Sequence, residues 1–247
     1  MKIRVWMVFI VAILLFSCKK AENRSCFKSM GKEHTLDRPL DDFSELWLGK
    51  GLNYTLVSDT ATFVRLKGGK NLLNLISTEV NNGILSIENE NKCNFLRNFD
   101  EIIEVEIHYI NLNRVDAKCS HELVSIDTIK AEYFNLRLVH ASGNAKLLVD
   151  TDFLNGFAND GSADYTFSGK TKVAHIQVYH NGFADVRNLV VQESLEITTR
   201  SSRRVLCHAD GIPLKVTILG LGDVNYTGNP SSIDLVETST GKLVKID

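Results

Sequence analysis

The sequence lacks the motifs that mark the common catalytic and nucleotide-binding sites. It has no Gly-x-Ser-x-Gly nucleophile elbow, no Walker loop, no His-Glu-x-x-His pair and no dinucleotide fingerprint. None of its five cysteines forms a Cys-x-x-Cys pair, which argues against a zinc ribbon or a dithiol redox motif. No apolar run reaches the roughly 20 residues that a membrane-spanning helix needs. These absences count against an enzyme, although they do not exclude one.

The sequence also lacks an excess of charge of one sign, and it has little proline. The 28 basic and 30 acidic side chains give a formal charge of -2, and removing Lys2 and Arg4 with a leader would make it about -4. This balance predicts no nucleic-acid partner. Three prolines beside 16 glycines, in a chain rich in Val, Ile, Leu, Thr and Asn, favour strands joined by turns. With 44% apolar residues, the chain can bury a substantial core.

The N-terminus has the pattern of an export signal. Lys2 and Arg4 precede an apolar run over residues 5–16, which is too short to span a membrane. The run ends in Leu15-Phe16-Ser17-Cys18, which resembles a bacterial lipobox, in which the cysteine becomes lipidated. We therefore predict a lipoprotein signal peptide over residues 1–17 and lipidation at Cys18. The alternative is an ordinary cleaved signal followed by an unmodified cysteine.

The residues after Cys18 predict a membrane tether. Acyl chains contribute about 0.8 kcal/mol per buried methylene, so two or three long chains would hold the protein on a bilayer. Lys19 and Lys20 place no acidic residue after the cysteine, which suggests sorting to a bacterial outer membrane. The polar residues 18–34 are expected to link the anchor to the fold. Whether the protein faces the periplasm or the cell surface stays open.

Four further cysteines would lie in an oxidising compartment. They allow three disulfide pairings, and the sequence leaves open whether they form one bridge or remain mostly buried free thiols. These residues are Cys26, Cys93, Cys119 and Cys207.

A short pattern of a glycine or serine anchor followed by alternating residues recurs at nearly regular intervals after position 111. The anchors are Ser120, Gly143, Gly161, Gly182, Ser201, Gly222 and Gly241. Their spacing is close to a period of roughly 20 residues, which is typical of the stacked turns of a solenoid.

Positions two and four residues after each anchor are mostly apolar, and the position between them is mostly polar. This is the alternation of a half-buried strand. Glycine at the anchor suits a tight corner in which positive φ is required. We therefore predict an all-β fold, a right-handed parallel β-helix-like solenoid over residues 111–247. Residues 35–110 alternate less regularly and are predicted to form an irregular N-terminal β region that caps the solenoid.

The polar position of the repeat predicts a ladder on the surface. Lys146, Asp164, Asp185 and Arg204 would then occupy one column, about 4.8 Å apart on successive coils. The plain interpretation is a solvated ladder in which Lys146 and Arg204 neutralise the two aspartates. The alternative is a subsite for a cation or a polysaccharide.

The histidines do not predict a metal site. His121, His140 and His180 lie at different distances from their anchors, so we expect them to be out of register. No metal, cofactor or catalytic residue is predicted.

Three stretches of the chain resemble a known family. They are Phe43-Ser44-Glu45-Leu46, the Thr-Glu-Val-x-x-Gly-x-Leu motif within residues 76–87, and the Gly-Leu-Gly-Asp-Val-Asn-Tyr-Thr-Gly-Asn-Pro run over residues 220–230. Together with the serial Gly-x-Ala-x-apolar turns, they resemble the head GIN domain family of bacterial auto-transporter adhesins. The resemblance covers about residues 40–247 and implies a β-helix-like fold and an envelope location, without a defined ligand. The chain departs from it at residues 201–204, where the coil is expected to be bulged or shifted by one residue.

The sequence therefore favours a non-catalytic envelope lipoprotein that serves as an adhesin or as a surface binding and structural module. Its expected partners are the membrane, through the lipid, and a polysaccharide or envelope proteins. Two alternatives remain: a carbohydrate-active β-helix enzyme that acts on a polysaccharide, and a scaffold for envelope assembly.

Overall fold

Strands form wherever the sequence alternates between apolar and polar residues, because alternate side chains of a strand point to opposite faces. The computed structural model describes residues 29–91 and 102–247, which form one 19-stranded sheet wound into about seven turns. The first part contains β1 (Glu33–Pro39), β2 (Glu45–Leu48), β3 (Leu52–Ser58), β4 (Phe63–Gly69), α1 (Lys70–Leu73), β5 (Ile76–Asn81), β6 (Ile84–Asn89) and β7 (Ile103–Tyr109).

The repeats supply the remaining twelve strands. These are β8 (Arg114–Ala117), β9 (Glu122–Ser125), β10 (Ile129–Val139), β11 (Asn144–Asn159), β12 (Asp164–His180), β13 (Phe183–Val186), β14 (Leu189–Ser201), β15 (Val205–His208), β16 (Pro213–Ile218), β17 (Val224–Thr227), β18 (Ser232–Glu237) and β19 (Leu243–Lys245). They pair in parallel with the strands one coil away, so the predicted β-solenoid is confirmed.

Three faces surround the core. Face A consists of β7, β3, β9, the first residues of β11 and β12, and then β13, β15, β17 and β19. Face B consists of β6, β2, β8, the second parts of β10, β11, β12 and β14, and then β16 and β18. Face C is shorter and stacks residues 129–131, 149–151, 169–171 and 189–191.

The predicted N-terminal β region is built into the solenoid. Strands β2 and β3 lie between β6 and β7 on one side and β8 and β9 on the other, all in parallel. Strands β1, β4 and β5 pair antiparallel and complete this end of the sheet. The chain therefore places β6 and β7 outside β2 and β3, at the end of the solenoid. It then crosses back, so that β8 and β9 continue on the opposite side of β2 and β3.

The core is made of inward side chains stacked from coil to coil. On face A the row contains Ala145, Tyr165 and Ala184, each at most 1% exposed. Small residues above and below make room for the large ring of Tyr165. Its hydroxyl donates to the carbonyl oxygens of Gly156 and Gln177, at 3.1 and 3.2 Å, so the buried polar group is satisfied.

The predicted anchor of the repeat is misplaced in three coils. The structure pairs Leu123 with Ala145, Ala145 with Tyr165, and Ala184 with Val205. The positions equivalent to Gly143 and Gly182 are therefore not Ser120, Gly161 and Ser201 but His121, Ala163 and Arg203. The expected bulge or shift of one residue at residues 201–204 is wrong as well, because His180 pairs with Ser201 and Ala184 with Val205, so this turn has the same length as the turn before β13. The additional residues of this coil lie earlier, between Asp185 and Leu189 and at the register shift between Val191 and Ser194.

The corner glycines allow the backbones of neighbouring coils to approach closely, and they do not adopt positive φ. None of the anchor glycines of the repeat, such as Gly143 or Gly222, has positive φ. A Cβ atom on Gly143 would overlap the carbonyl oxygen of His121, and one on Gly222 would overlap that of Arg203. The expectation of positive φ was wrong because what restricts these corners is the neighbouring coil, whose backbone lies directly against them.

Candidate functional site

Face B carries a group of aromatic side chains that point away from the core. Trp47 is 55% exposed, Tyr133 is 52% exposed and Phe153 is 48% exposed, while Phe157 and Tyr179 are half-buried. They lie outward because the residues that alternate with them, such as Leu46 and Phe134, fill the core. A group of exposed aromatic side chains on one face is typical of an interaction surface. We call these five aromatic residues, with the polar side chains between them, the aromatic face.

One row of the aromatic face runs along the solenoid axis in strict register. Trp47 lies opposite Asp116, which lies opposite Arg137, then Phe157 and then Gln177. Successive parallel strands are about 4.8 Å apart. Trp47 and Phe157 are therefore separated by about 14 Å along the axis, with an ion pair between them.

The ion pair fixes the polar side chains of this row. Arg114 donates to both carboxylate oxygens of Asp116, with Nη2–Oδ2 at 2.8 Å, and Arg137 Nη1 lies 3.5 Å from Asp116 Oδ2. The carboxylate raises the pKa of Arg114 through this hydrogen bond. Arg137 also lies over the ring of Phe157, with Cζ 5.8 Å from its centroid. Its guanidinium is thereby held between a carboxylate and an aromatic ring.

A groove opens beside Trp47 at the end of the row. Its volume is about 180 Å³. It is lined by Trp47, Leu48, Glu88, Asp116, Ala117, Lys118, Arg137 and Val139. Apolar side chains and an indole ring line its interior, and charged groups stand around them. This combination suits a ring-shaped ligand that has an apolar face and polar edges.

A row of polar side chains lies beside the row that contains Trp47 and Phe157. Asn155 Nδ2 donates to Asn135 Oδ1 at 3.1 Å between neighbouring coils, and Asn155 lies opposite His175. Amide groups can both donate and accept hydrogen bonds. The aromatic face therefore offers stacking surfaces and hydrogen-bonding groups in parallel rows.

The structure does not bring the predicted ladder together as one column. Lys146 lies opposite Thr166, which lies opposite Asp185, whereas Asp164 lies opposite Phe183. The column was wrong because the anchors of two coils were misplaced by two residues.

The expected neutralising contacts of the ladder were wrong as well. Lys146 pairs with Glu122 at 3.3 Å, and Asp185 pairs with Arg187, Nη2–Oδ2 2.6 Å. Asp164 accepts from Arg203, Nη2–Oδ2 3.0 Å. The neighbouring Arg204 has no carboxylate within 4.0 Å among the described residues.

Two histidines are in register, contrary to expectation. The pairing of Val139 with Asn159, and of Ala158 with Val178, places His140 and His180 at the same turn with Asp160 between them. His180 Nε2 lies 3.6 Å from Asp160 Oδ1. Across residues 29–91 and 102–247, no group of three or more potential ligands is arranged to hold a metal ion.

The predicted lipid anchor lies outside the described residues, as do Cys26 and Cys93. Cys119 and Cys207 are both buried free thiols. In the part of the chain that the structure describes, no helix is long and apolar enough to cross a membrane. Lipidation at Cys18 stays a prediction.

The aromatic face was missed in the sequence although a signal was present. Trp47 stands between Leu46 and Leu48, and Tyr133 precedes Phe134, so an aromatic residue occupies a position where the alternation calls for a polar one. The glycine anchors that define the repeat precede the strands of face A, so they carry no information about these breaks in the alternation of face B.

Solved structures share this fold. A putative adhesin from Bacteroides fragilis superposes with a TM-score of 0.78 at 19% identity, over 87% of this chain and 97% of that chain. A putative adhesin from Parabacteroides merdae gives 0.65 at 17% identity, over 89% and 98%. A putative lipid binding protein from Parabacteroides distasonis gives 0.65 at 16%, over 88% and 98%. At these identities the likeness shows the fold alone.

The sequence comparisons supply the family. No curated protein matches the chain significantly. The family model described as putative auto-transporter adhesin, head GIN domain, matches residues 42–230. Since this match covers most of the chain, the protein belongs to the head GIN domain family.

Proposed function

We propose that this protein is a non-catalytic binding module of the bacterial envelope whose aromatic face binds an extended glycan. The observation that carries the proposal is the row in which Trp47 and Phe157 lie about 14 Å apart in register, with Asp116 and Arg137 between them. Membership of an adhesin family supports a surface or envelope location.

The chemistry of a sugar polymer fits this face. The C–H groups of a sugar ring stack on the electron-rich face of an aromatic ring, and its hydroxyls hydrogen-bond with carboxylate, guanidinium and amide groups. The spacing of successive coils, about 4.8 Å, is close to the length of one sugar unit in an extended chain. A glycan running along the axis would meet Trp47, then the ion pair, then Phe157.

The arrangement supports binding rather than hydrolysis. A glycosidase needs one carboxylic acid that is protonated and a second carboxylate that acts with it. Asp116 is bound by two arginines, which occupy its carboxylate oxygens. These oxygens are therefore not free to act on a glycosidic bond.

Binding of extended glycans by the purified protein tests the proposal. We expect Trp47→Ala and Phe157→Ala each to remove about 1–2 kcal/mol of stacking, which weakens binding about 5- to 30-fold. Val190→Ala is the matched control, because Val190 is 60% exposed but lies on face C. Equal affinity of the aromatic variants and the unchanged protein would contradict the proposal.

The same incubations separate the alternatives. New reducing or unsaturated sugar ends would identify the carbohydrate-active enzyme instead. Capture of envelope proteins in the absence of any glycan binding would favour the scaffold for envelope assembly.

The envelope location includes a lipid anchor at Cys18 in an outer membrane, which faces the periplasm or the cell surface. Acyl chains at this residue would hold the module on the bilayer. We expect Cys18→Ser to release the protein into the soluble fraction and to abolish incorporation of labelled palmitate. Palmitate labelling that persists in this variant would show that the anchor assignment is wrong.

A further inference from the structure

The turn before β15 carries two adjacent arginines, Arg203 and Arg204. The equivalent positions of the neighbouring coils are Gly182 and Phe183 on one side and Gly222 and Asp223 on the other. The turn has the same length as the turn before β13, since His180 pairs with Ser201 and Ala184 with Val205. Its side chains, rather than an insertion, therefore distinguish this turn from its neighbours.

The turn before β15 forms one wall of a second groove. Arg203 is held by Asp164, with Nη2–Oδ2 at 3.0 Å, and its Cζ lies 5.2 Å from the centroid of the Phe183 ring. This guanidinium is therefore fixed and already neutralised. It shapes the groove but is not available as a free cation.

Arg204 is the available cation of this groove. It is exposed, and no carboxylate oxygen of the described residues lies within 4.0 Å of it. The nearby aspartates have other partners, since Asp164 pairs with Arg203 and Asp185 with Arg187. The groove has a volume of about 560 Å³, so it can hold a whole sugar ring beside the guanidinium.

The other groove residues indicate what else the ligand carries. Asp223 Oδ1 accepts from the backbone N–H of Lys242 at 2.8 Å, which leaves Oδ2 to accept from a hydroxyl. Leu221, 66% exposed, offers an apolar surface to the C–H side of a ring. Asp223 would repel a doubly charged phosphate, whereas a single guanidinium matches a singly charged carboxylate.

We propose that this groove binds an acidic sugar, with the carboxylate of a uronic acid paired to Arg204 and a ring hydroxyl donating to Asp223. The site lies on face A and is separate from the aromatic face. Its ligand carries a charge that the glycan of the aromatic face does not need. The two proposals can therefore be tested independently.

Calorimetric titration of the full chain with trigalacturonate, compared with neutral galactotriose, tests the site. The unchanged protein should bind the acidic trimer more tightly, and rising salt should weaken this preference. Arg204→Gln should lower the affinity for trigalacturonate at least tenfold, because a hydrogen bond to a charged group is lost. Arg204→Lys should retain part of the affinity, since it keeps the charge but loses the bidentate geometry.

The control is Lys130→Gln, which removes an exposed positive charge on face C and should leave the affinity unchanged. Thermal unfolding of each variant checks that it folds. The proposal is overturned if the acidic trimer binds no better than the neutral one, or if Arg204→Gln binds it like the unchanged protein. Loss of trigalacturonate binding in Trp47→Ala would also overturn it, because the ligand would then lie on the aromatic face.

Discussion

Alanine substitutions at three glycines separate two effects on stability, the close approach between coils and the requirement for positive φ. In Gly143→Ala the new Cβ meets the backbone of His121, whereas φ of Gly143 is not positive. Gly211 has a φ of +71°, but a Cβ there meets nothing within 4 Å. Gly169 combines both restrictions, with a φ of +104° and an overlap with the carbonyl oxygen of Val149. The three variants therefore isolate the two effects and their sum.

The structure sets the expected magnitudes. A left-handed residue other than glycine costs about 1–2 kcal/mol, and Gly→Ala recovers about 0.4–1 kcal/mol by restricting the unfolded chain. Gly211→Ala should therefore lower the free energy of unfolding by about 1 kcal/mol. In Gly143→Ala the coils must separate, which costs about 3 kcal/mol for overpacking and about 1 kcal/mol for a weakened inter-coil hydrogen bond. The bonds concerned run from Gly143 N to Cys119 O, 3.1 Å, and from Asn144 N to His121 O, 3.2 Å. The net loss is about 3 kcal/mol.

Urea unfolding followed by circular dichroism measures these losses from the midpoint and the slope. Gly169→Ala should be the most destabilised of the three. A Gly143→Ala variant that loses less stability than Gly211→Ala would refute the reasoning, because coil spacing would then not restrict the corner.

Two further predictions concern thiols and carboxylates. Burial raises the pKa of Cys119 to about 11 and that of Cys207 to about 12. Iodoacetamide at pH 8 should therefore label neither thiol in the folded protein and both after unfolding, which mass mapping of the labelled peptides checks. Labelling in the folded state would contradict the buried positions. Arg65 holds the pKa of Asp37 below its ordinary value by hydrogen bonding, so this pair stabilises the fold above about pH 4 and its contribution is lost as the pH falls through the lowered pKa. Asp37→Asn should therefore reduce the acid dependence of the unfolding free energy, and an unchanged pH profile would argue against the pair.

The sequence was sufficient to predict strands and their stacking but not their register. Alternation and a nearly constant period identify each coil, since both are local properties of the chain. A shift of two residues, as between Ser201 and Arg203, leaves every side chain on the same side of the strand, so alternation cannot detect it. The ladder through Asp164 and Asp185 failed for this reason. The shift of one residue at Ser120 does change sides, and Leu123 rather than Val124 fills the core.

The aromatic face depends on strand order, which local periodicity does not encode. Trp47 joins Arg137 and Phe157 only because β2 lies next to β8. The strands in residues 35–110 are visible in the sequence, but the crossing of the chain over its own first coils is not. Contacts between residues so far apart in the chain therefore had to come from the structure.

The placement of β2 and β3 between two later coils constrains how the molecule can assemble. A repeat protein whose coils follow chain order can grow from its first coil onward. Here the earliest strands have no finished neighbour until β6 to β9 have been made, since they are covered on both sides by later chain. Growth must therefore begin within the downstream coils or wait for them, and the entropic loss of closing these long loops falls on the first part of the chain to be synthesised.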